Sequence, residues 1–461
     1  MEHGVNHQEI NNLVKDFSCE FNNENKSTAV VLAAGHGKRI KSQTSKMLHK
    51  IWEVPTVNRV CSAWQSAISD SNTIVVVGIK ADDVIKSVGK AKDVSFAYQQ
   101  EQHGTGHALQ VGLVNVPRDY DGVVYVFPGD MGLIDSTTIQ FFKSEFEKSN
   151  SDMMVLTGIY EGAVEGNYYG RIVRVKDKDA KEPVPSSFRD EKSKYKGKVI
   201  EIIEYKDILN LDKKKPYTAK YKKKNFKFTQ KELVENREFN SGVYAFKSKP
   251  LFELIDKIGS NNVQNEVYLT DLIGMFNENG YSVEAVSPEE QYVLMGFNNK
   301  SVLKEMDSIA QKLIYENLKD IILIEDSNDF FIHEEVVEEL LSQDKSGVIL
   351  DIEVGKGVYI GSGVKLNLNI KLGRNVRING NVSFGANVTV ESNSLITSEL
   401  GKSTYIGNNV LLKGECVVDS TFIGDGCVVE RSVLVNKKIE SGSTIKFYKP
   451  EVEIKGSVSN L

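Results

Sequence analysis

The chain has 461 residues, 40% of them apolar and 26% charged, which is length for two or three domains and the composition of an ordinary folded protein. A net charge of −6 argues against a nucleic-acid binder driven by overall charge, and no apolar run approaches a membrane span. The polar start MEHGVNHQEI does not read as a signal peptide, and the scattered Cys19, Cys61, Cys416 and Cys427 form no CxxC pair, so neither a disulfide framework nor structural zinc is expected and a reduced, cytoplasmic protein is.

Within the N-terminal stretch 1–27, Ile10, Leu13, Val14, Phe17 and Phe21 fall at helical spacing. They predict a short helix that packs on the core or on a neighbouring subunit. The apolar run Thr28–Val31 then leads straight into LAAGHGKRIKSQTSKMLH at 32–49. A strand running into a Gly-rich, basic loop is a way to hold a polyphosphate. Gly35 and Gly37 lack a Cβ and let backbone N–H groups approach anionic oxygens, while Arg39 and Lys46 add fixed positive charge. Taken alone, such a loop is equally an ordinary turn.

From 28 to about 290, β-rich runs such as TIVVVG (73–78), VVYVFPGD (123–130) and DMMVLTGIY (152–160) alternate with helical patterns. This predicts an α/β domain around a largely parallel, mixed sheet. Two Lys-rich, polar segments, 176–197 and 211–232, interrupt it and read as exposed insertions, the alternative being a basic flap near an anionic substrate. In YQQEQHGTGHALQ (98–110), Gln99 and Gln102 carry amides suited to a base edge, Gly104 and Gly106 permit close backbone approach, and His107 opens a helix. The plain alternative is a polar strand-to-helix loop. In FPGDMGLID (127–135), Asp130 lies at a strand end, where open α/β sheets place ligands. A lone carboxylate there suits Mg²⁺, or equally caps a helix. In MGFNN (295–299), Asn298 is placed to complete a metal site, to cap the following helix, or both.

Val302, Leu303, Met306, Ile309, Leu313 and Leu318 predict a connecting helix over 300–318, and EEVVEELLSQ (334–343) a shorter acidic one. The last third changes period. Val354, Ile360, Leu366, Leu372, Ile378, Phe384, Val390 and Ile396 recur every six residues, and after a phase reset Ile406, Leu412 and Val418, then Ile423, Val429 and Val435, then Ile439 and Ile445 continue. Hexapeptide repeats of this kind build a parallel β-helix with each aliphatic residue stacked inward on its equivalents. The expected division is an N-terminal extension 1–27, an α/β domain 28–299, a helical linker 300–347, a β-helix 348–450 and a tail 451–461.

The combination LAAGxGxR, a lysine seven residues after that arginine, QxxQxGTGHA, GD at a strand end, YGRI, Glu-x-Lys, NSG, ExYLTD and GFNN resembles the bacterial N-acetylglucosamine-1-phosphate uridylyltransferase family over roughly 28–318. The resemblance implies a Rossmann-like, mixed-sheet nucleotidyltransferase domain followed by a left-handed parallel β-helix. It implies Mg²⁺-dependent uridylyl transfer from UTP to N-acetylglucosamine-1-phosphate, giving UDP-N-acetylglucosamine and pyrophosphate, with neither nucleic acid nor membrane as partner; the β-helix is expected to serve assembly, as a homotrimer, or to bind an effector. Arg39 and Lys46 match its basic pair. Leu32, Ala34, Gly35, Gly37, Gln99, Gln102, Gly104 and Thr105 match its nucleotide pocket. Asp130 and Asn298 match its magnesium ligands, and Gly170, Glu204, Asn240, Tyr268 and Thr270 its sugar pocket.

The chain also departs from that pattern. The family's second activity, acetylation of glucosamine-1-phosphate on the β-helix, needs a histidine base. The seven histidines here are His3, His7, His36, His49, His103, His107 and His333, with none in 348–450, so acetyltransferase activity is expected to be absent. Lys38 replaces a usual threonine, and the 211–232 insertion lies between Glu204 and Asn240, on the sugar side. Two other readings remain: uridylyl or thymidylyl transfer to another hexose-1-phosphate, and a non-catalytic regulatory or scaffolding homologue. The presence of Asp130, Asn298, Arg39 and Lys46 argues against the second.

Overall fold

The computed structural model describes residues 6–449 except 36, 177–196, 223, 261 and 263, so most of the 176–197 insertion and the 451–461 tail lie outside the described residues. Its contacts divide the chain into two units, Met1–Met306 and Asp307–Leu461.

The first unit is built on one sheet. Strands β1 (Ser27–Ala33), β2 (Asn72–Val77), β3 (Val94–Tyr98) and β4 (Val123–Pro128) are parallel and lie in the order β3-β2-β1-β4. They read as nearly continuous apolar runs because helices cover both faces. The sheet continues through β5 (Met153–Ile159), β6 (Arg171–Arg174), β7 (Val199–Ile203), β8 (Glu238–Lys247) and β9 (Val283–Val286) in the order β9-β5-β8-β4, with β8 antiparallel to both neighbours and β6 joining β8 to β7. The chain builds outward from β1 through β2 to β3, then returns to the other side of β1 as β4. That reversal leaves a crevice beyond the carboxyl ends of β1 and β4.

Helices α1 (His7–Phe17), α2 (Thr56–Ala67), α3 (Ala81–Val88) and α5 (Ser136–Ser149) cover one face of the sheet, and α4 (Thr105–Leu113) and α6 (Asp271–Glu278) the other. In α1, Ile10 is buried, and Leu13, Val14 and Phe17 pack with it against the core that holds Val94 and Phe96. The helix is thus part of its own unit's core.

The 211–232 insertion is more than an exposed loop. Tyr217–Tyr221 pairs antiparallel with Lys224–Phe228, and the helix Gln230–Glu235 follows. Ala219, Tyr221, Phe228 and Leu233 pack on Val173, Val175, Ile200, Ile203 and Ile208 as a separate small core. The lysines face solvent between these residues, which is why a charge-rich reading hid a strand with period two.

Helix α7 (Lys300–Leu318) crosses the division; Met306, Ala310, Ile314 and Leu318 are buried along it, and Leu313, expected on that face, is 36% exposed. Among the described residues of the second unit, three parallel sheets of seven, six and five strands wind into a left-handed parallel β-helix. Equivalent residues stack one coil apart, as in Ile360–Ile378–Ile396 and Leu372–Val390–Leu412. Asparagines take left-handed corners and bond along the stack: Asn369 Nδ2 donates to Asn387 Oδ1 at 2.8 Å, and Asn387 Nδ2 to Asn409 Oδ1 at 3.1 Å. Two details differ from the repeat pattern. The β-helix starts earlier, because Leu323–Ile324 and Phe330–Ile332 pair with its first coil, and α8 (Glu334–Lys345) interrupts that coil and breaks the six-residue period. Near the end, Leu434 rather than Val435 faces inward, since a shortened coil sets Leu434 against Val418.

Candidate functional site

The crevice at the ends of β1 and β4 is walled by the two loops that follow them. The Gly129 N–H donates to the Leu32 carbonyl at 3.0 Å and ties the loops together. Residues 37–49 fold through two short 3₁₀ turns, Lys38–Ile40 and Lys46–Leu48. Gly37, with φ +56°, makes this possible, because a Cβ there would come within 2.8 Å of Lys46 Cβ. Met47 is buried and its carbonyl accepts from Thr56 Oγ1 at 3.1 Å, which fixes the second turn.

Lys46 is thereby aimed across the crevice. Its ammonium pairs with Asp130 Oδ2, donates to Asn298 Oδ1 at 3.1 Å and lies 5.4 Å from the centre of the Phe297 ring. The capping roles that Asp130 and Asn298 might have filled belong to their neighbours. Asp135 caps α5, accepting from the Thr138 N–H at 2.7 Å, and Asn299 accepts from the Val302 N–H at 2.9 Å. Asp130 and Asn298 therefore present two hard oxygens to one cationic atom. That donor set fits Mg²⁺, which takes one or two protein oxygens and completes its shell with water and phosphate. Among the described residues no group of three or more His, Cys, Asp or Glu is arranged for a metal. Arg39 lies exposed on the first 3₁₀ turn and is not joined to this cluster.

The loop 98–107 sits after β3. Gln99 is buried, and its Nε2 donates to the Gly104 carbonyl at 3.3 Å and lies 3.1 Å from His107 Nδ1; Gln102 Nε2 donates to the Gln99 carbonyl at 3.1 Å. Both amide nitrogens brace their own loop. Gly104, with φ +109°, passes so close to Val267 that a Cβ would meet its carbonyl at 2.6 Å, and Thr105 Oγ1 accepts from the Leu269 N–H at 3.2 Å. Ala34 is buried, while Gly35 is exposed at the loop's outer edge.

The contact with 267–269 brings in the second group. The Asn240 N–H donates to the Gly170 carbonyl at 2.9 Å, a Cβ on Gly170 would sit 3.2 Å from Glu204 Oε1, and Thr270 Oγ1 lies 3.5 Å from the same oxygen. Tyr268 stands beside them, its hydroxyl accepting from Gln264 Nε2 at 2.5 Å. Burial pushes Glu204 up to about 7, with the charge of Asp207 adding to the effect.

Several contributors have roles that the sequence motifs do not show. Arg171 is fully buried, and its guanidinium holds Asn167 Oδ1 at 2.9 Å, the Asn167 carbonyl at 2.7 Å and the Tyr169 carbonyl, with Tyr205 ring 5.2 Å away. It fixes the turn that presents Gly170. Tyr169 packs against Phe239 with the rings tilted and their centres 4.6 Å apart, and burial pushes its phenol up to about 12, with Asp130 adding to the shift. Glu201 and Asp271 extend the carboxylate group around Glu204, raised by burial to about 7 and about 6, and the Tyr217 hydroxyl of the insertion hydrogen-bonds Glu201. The GFNN motif pointed to Asn298 but not to Phe297, whose ring is seen to face the ammonium only in the folded protein.

Residues 29–165 match the MobA-like NTP transferase domain. The chain is 31% identical over 435 residues to the bifunctional protein GlmU of Clostridium acetobutylicum, an alignment covering 94% of this chain and 79% of that one. The chain belongs to the GlmU family. It is 33% identical over 311 residues to GlmU of Clostridium tetani, covering 67% of this chain and 58% of that protein. A solved UDP-glucose pyrophosphorylase complexed with UDP-glucose covers 62% of the chain at 14% identity and a TM-score of 0.40, which adds nothing to the assignment. This GlmU-family chain is an enzyme with a nucleotidyltransferase domain, and among its described residues no helix is long and apolar enough to cross a membrane. His333 lies within the first coil of the β-helix, since that coil begins at Leu323. Its N–H donates to the Ile360 carbonyl at 2.8 Å, and its Nδ1 accepts from the Glu335 N–H at 3.4 Å, so the ring caps α8.

Proposed function

We propose that this protein transfers a uridylyl group from UTP to N-acetylglucosamine-1-phosphate, giving UDP-N-acetylglucosamine and pyrophosphate, with Mg²⁺ held by Asp130 and Asn298. The observation that carries the reading is the convergence of Lys46, Asp130 and Asn298 at the crevice of an NTP transferase domain. The sugar-1-phosphate is already an anionic nucleophile, so attack on the α-phosphorus requires no strong base. Positioning and charge neutralisation then supply most of the rate. Lys46, with Arg39 at the loop's rim, would meet the nucleotide phosphates, and Gly35 and Gly37 would let the backbone approach them. Magnesium, when bound, adds charge neutralisation on the phosphates. Gln99, Gln102, Gly104 and Thr105 shape the base pocket, the glutamines by bracing the loop. Gly170, Glu204, Asn240, Tyr268 and Thr270 would hold the sugar.

Acetyl transfer is not part of the proposed function. After His333 the sequence contains no histidine, and His333 itself caps a helix. We assign the β-helix to assembly, as a homotrimer. One outward row supports this: Phe331, Tyr359, Arg377, Leu395, Val417 and Val433 stand in register on one sheet, with Phe331 stacked on Tyr359 at 4.7 Å and Arg377 over Tyr359 at 4.1 Å. Consumption of UTP and four unpaired cysteines suit a cytoplasmic enzyme.

The test is product identification. Purified protein with Mg²⁺ and UTP is offered N-acetylglucosamine-1-phosphate, N-acetylgalactosamine-1-phosphate and glucose-1-phosphate, with dTTP as competing nucleotide, and the sugar nucleotides are identified by mass spectrometry. UDP-N-acetylglucosamine should dominate. A different dominant product would move the substrate to another hexose-1-phosphate, a change that the packed 211–232 insertion beside Glu201 would favour.

A further inference from the structure

The Lys46 ammonium rests on the two oxygens assigned above to a divalent cation. It pairs with Asp130 Oδ2 and donates to Asn298 Oδ1 at 3.1 Å. A metal ligated by those oxygens at about 2.1 Å would fall inside the space the ammonium takes, and like charges at that range repel strongly where water is scarce. Little water is available here: the Lys46 and Asp130 side chains are 11% and 15% exposed. The lysine stem is also hemmed in, by Gly37 at its base and the Phe297 ring near its tip.

From this geometry we infer that Lys46 and the divalent cation exclude each other at Asp130 and Asn298. The nucleotide's phosphates offer the ammonium another anionic partner, and drawing it toward them opens the oxygens to the cation. Lys46 is then a gate as well as a phosphate contact, and cation and nucleotide each tighten the other's binding by the same factor. The inference rests on Asp130 and Asn298 being the cation ligands.

The experiment uses the full chain and Mn²⁺ as probe, with free Mn²⁺ followed by its paramagnetic resonance signal. Without nucleotide, Lys46→Ala and Lys46→Met should bind Mn²⁺ at least about tenfold more tightly than the unaltered protein, because the competing ammonium is gone. Adding UTP should tighten Mn²⁺ binding less in the variants than in the unaltered protein. Lys46→Met keeps the stem against Phe297, and thermal unfolding of both variants verifies that they fold. Mn²⁺ binding no tighter in either variant would overturn the gate. If Mn²⁺ binding with UTP depends on Asp130, shown with Asp130→Asn, the ligand assignment survives that result; if it is indifferent to Asp130, the assignment itself fails and the gate falls with it.

Discussion

The Lys46 ammonium and the Asp130 carboxylate meet across the crevice, one from the loop after β1 and the other from the loop after β4. The two strands are hydrogen-bonded neighbours, so their loops leave the sheet side by side. The reversal of strand order there keeps a helix connection from filling the space between them. The fold thus brings a cation and two oxygen donors to one point, and the chemistry proposed for the protein depends on that meeting.

Lys46 and Arg39 should separate kinetically. Lys46 touches the site and Arg39 stands exposed at its rim. Lys46→Ala is expected to lower kcat by on the order of 10²- to 10³-fold, the range for losing a preorganised charge at a reacting group. Arg39→Ala is expected to act mainly on KM for UTP, through a charge screened by solvent. Steady-state kinetics of both variants check this; equal losses in kcat would mean that Arg39 closes onto the reacting phosphates.

Glu204 gives a pH-dependent stability. Burial raises it from about 4.5 to about 7 in the folded protein. Between those values the folded form holds more protons than the unfolded one, so stability falls as pH rises through that window and levels off above about 7. Glu204→Gln removes the buried charge. The variant should match the unaltered protein near pH 4.5 and exceed it at pH 8 by roughly 1–3 kcal/mol. Denaturant unfolding at both pH values measures the difference, and a variant less stable at pH 8 would mean that the carboxylate is compensated by partners.

Gly37 should tolerate no side chain. Gly37→Ala combines φ +56° with a Cβ 2.8 Å from Lys46 Cβ, so the loop must shift. Strain of about 1–3 kcal/mol is expected, with turnover reduced more than stability, because the displaced atom is the base of Lys46. An alanine variant with unaltered kcat and unfolding midpoint would contradict the placement of that loop.

The outward row of the β-helix should govern assembly. Val417→Asp and Leu395→Asp put carboxylates on an apolar strip without touching the inward stack. Light scattering should report trimer for the unaltered protein and monomer for the variants. A monomeric unaltered protein would remove the trimer from the account.

Much of this was legible in the sequence, for physical reasons. The β-helix announces itself because every coil repeats one inward aliphatic at Ile360, Ile378 and Ile396. Its start was hidden because α8 splits the first coil, which also hid that His333 belongs to it. Asp130 and Asn298 stand out by position, but only the fold shows that helix capping falls to Asp135 and Asn299 instead. The amide of Gln99 suits a base edge, and the sequence does not show that its Nε2 also donates to the Gly104 carbonyl and lies beside His107. Arg171 and Tyr169 lie in the YGRI motif, but the motif cannot tell that Arg171 braces the turn through Asn167 or that Tyr169 packs on Phe239, since those contacts exist only in the folded turn.

The most direct test of the proposed chemistry is pyrophosphate release with Mg²⁺, UTP and N-acetylglucosamine-1-phosphate, for the unaltered protein and Asp130→Ala side by side, with matched unfolding curves. The account predicts steady release that falls by on the order of 10³-fold in the variant. Release that survives the loss of Asp130, or silence of the unaltered protein with every sugar phosphate and nucleotide tried, would contradict it.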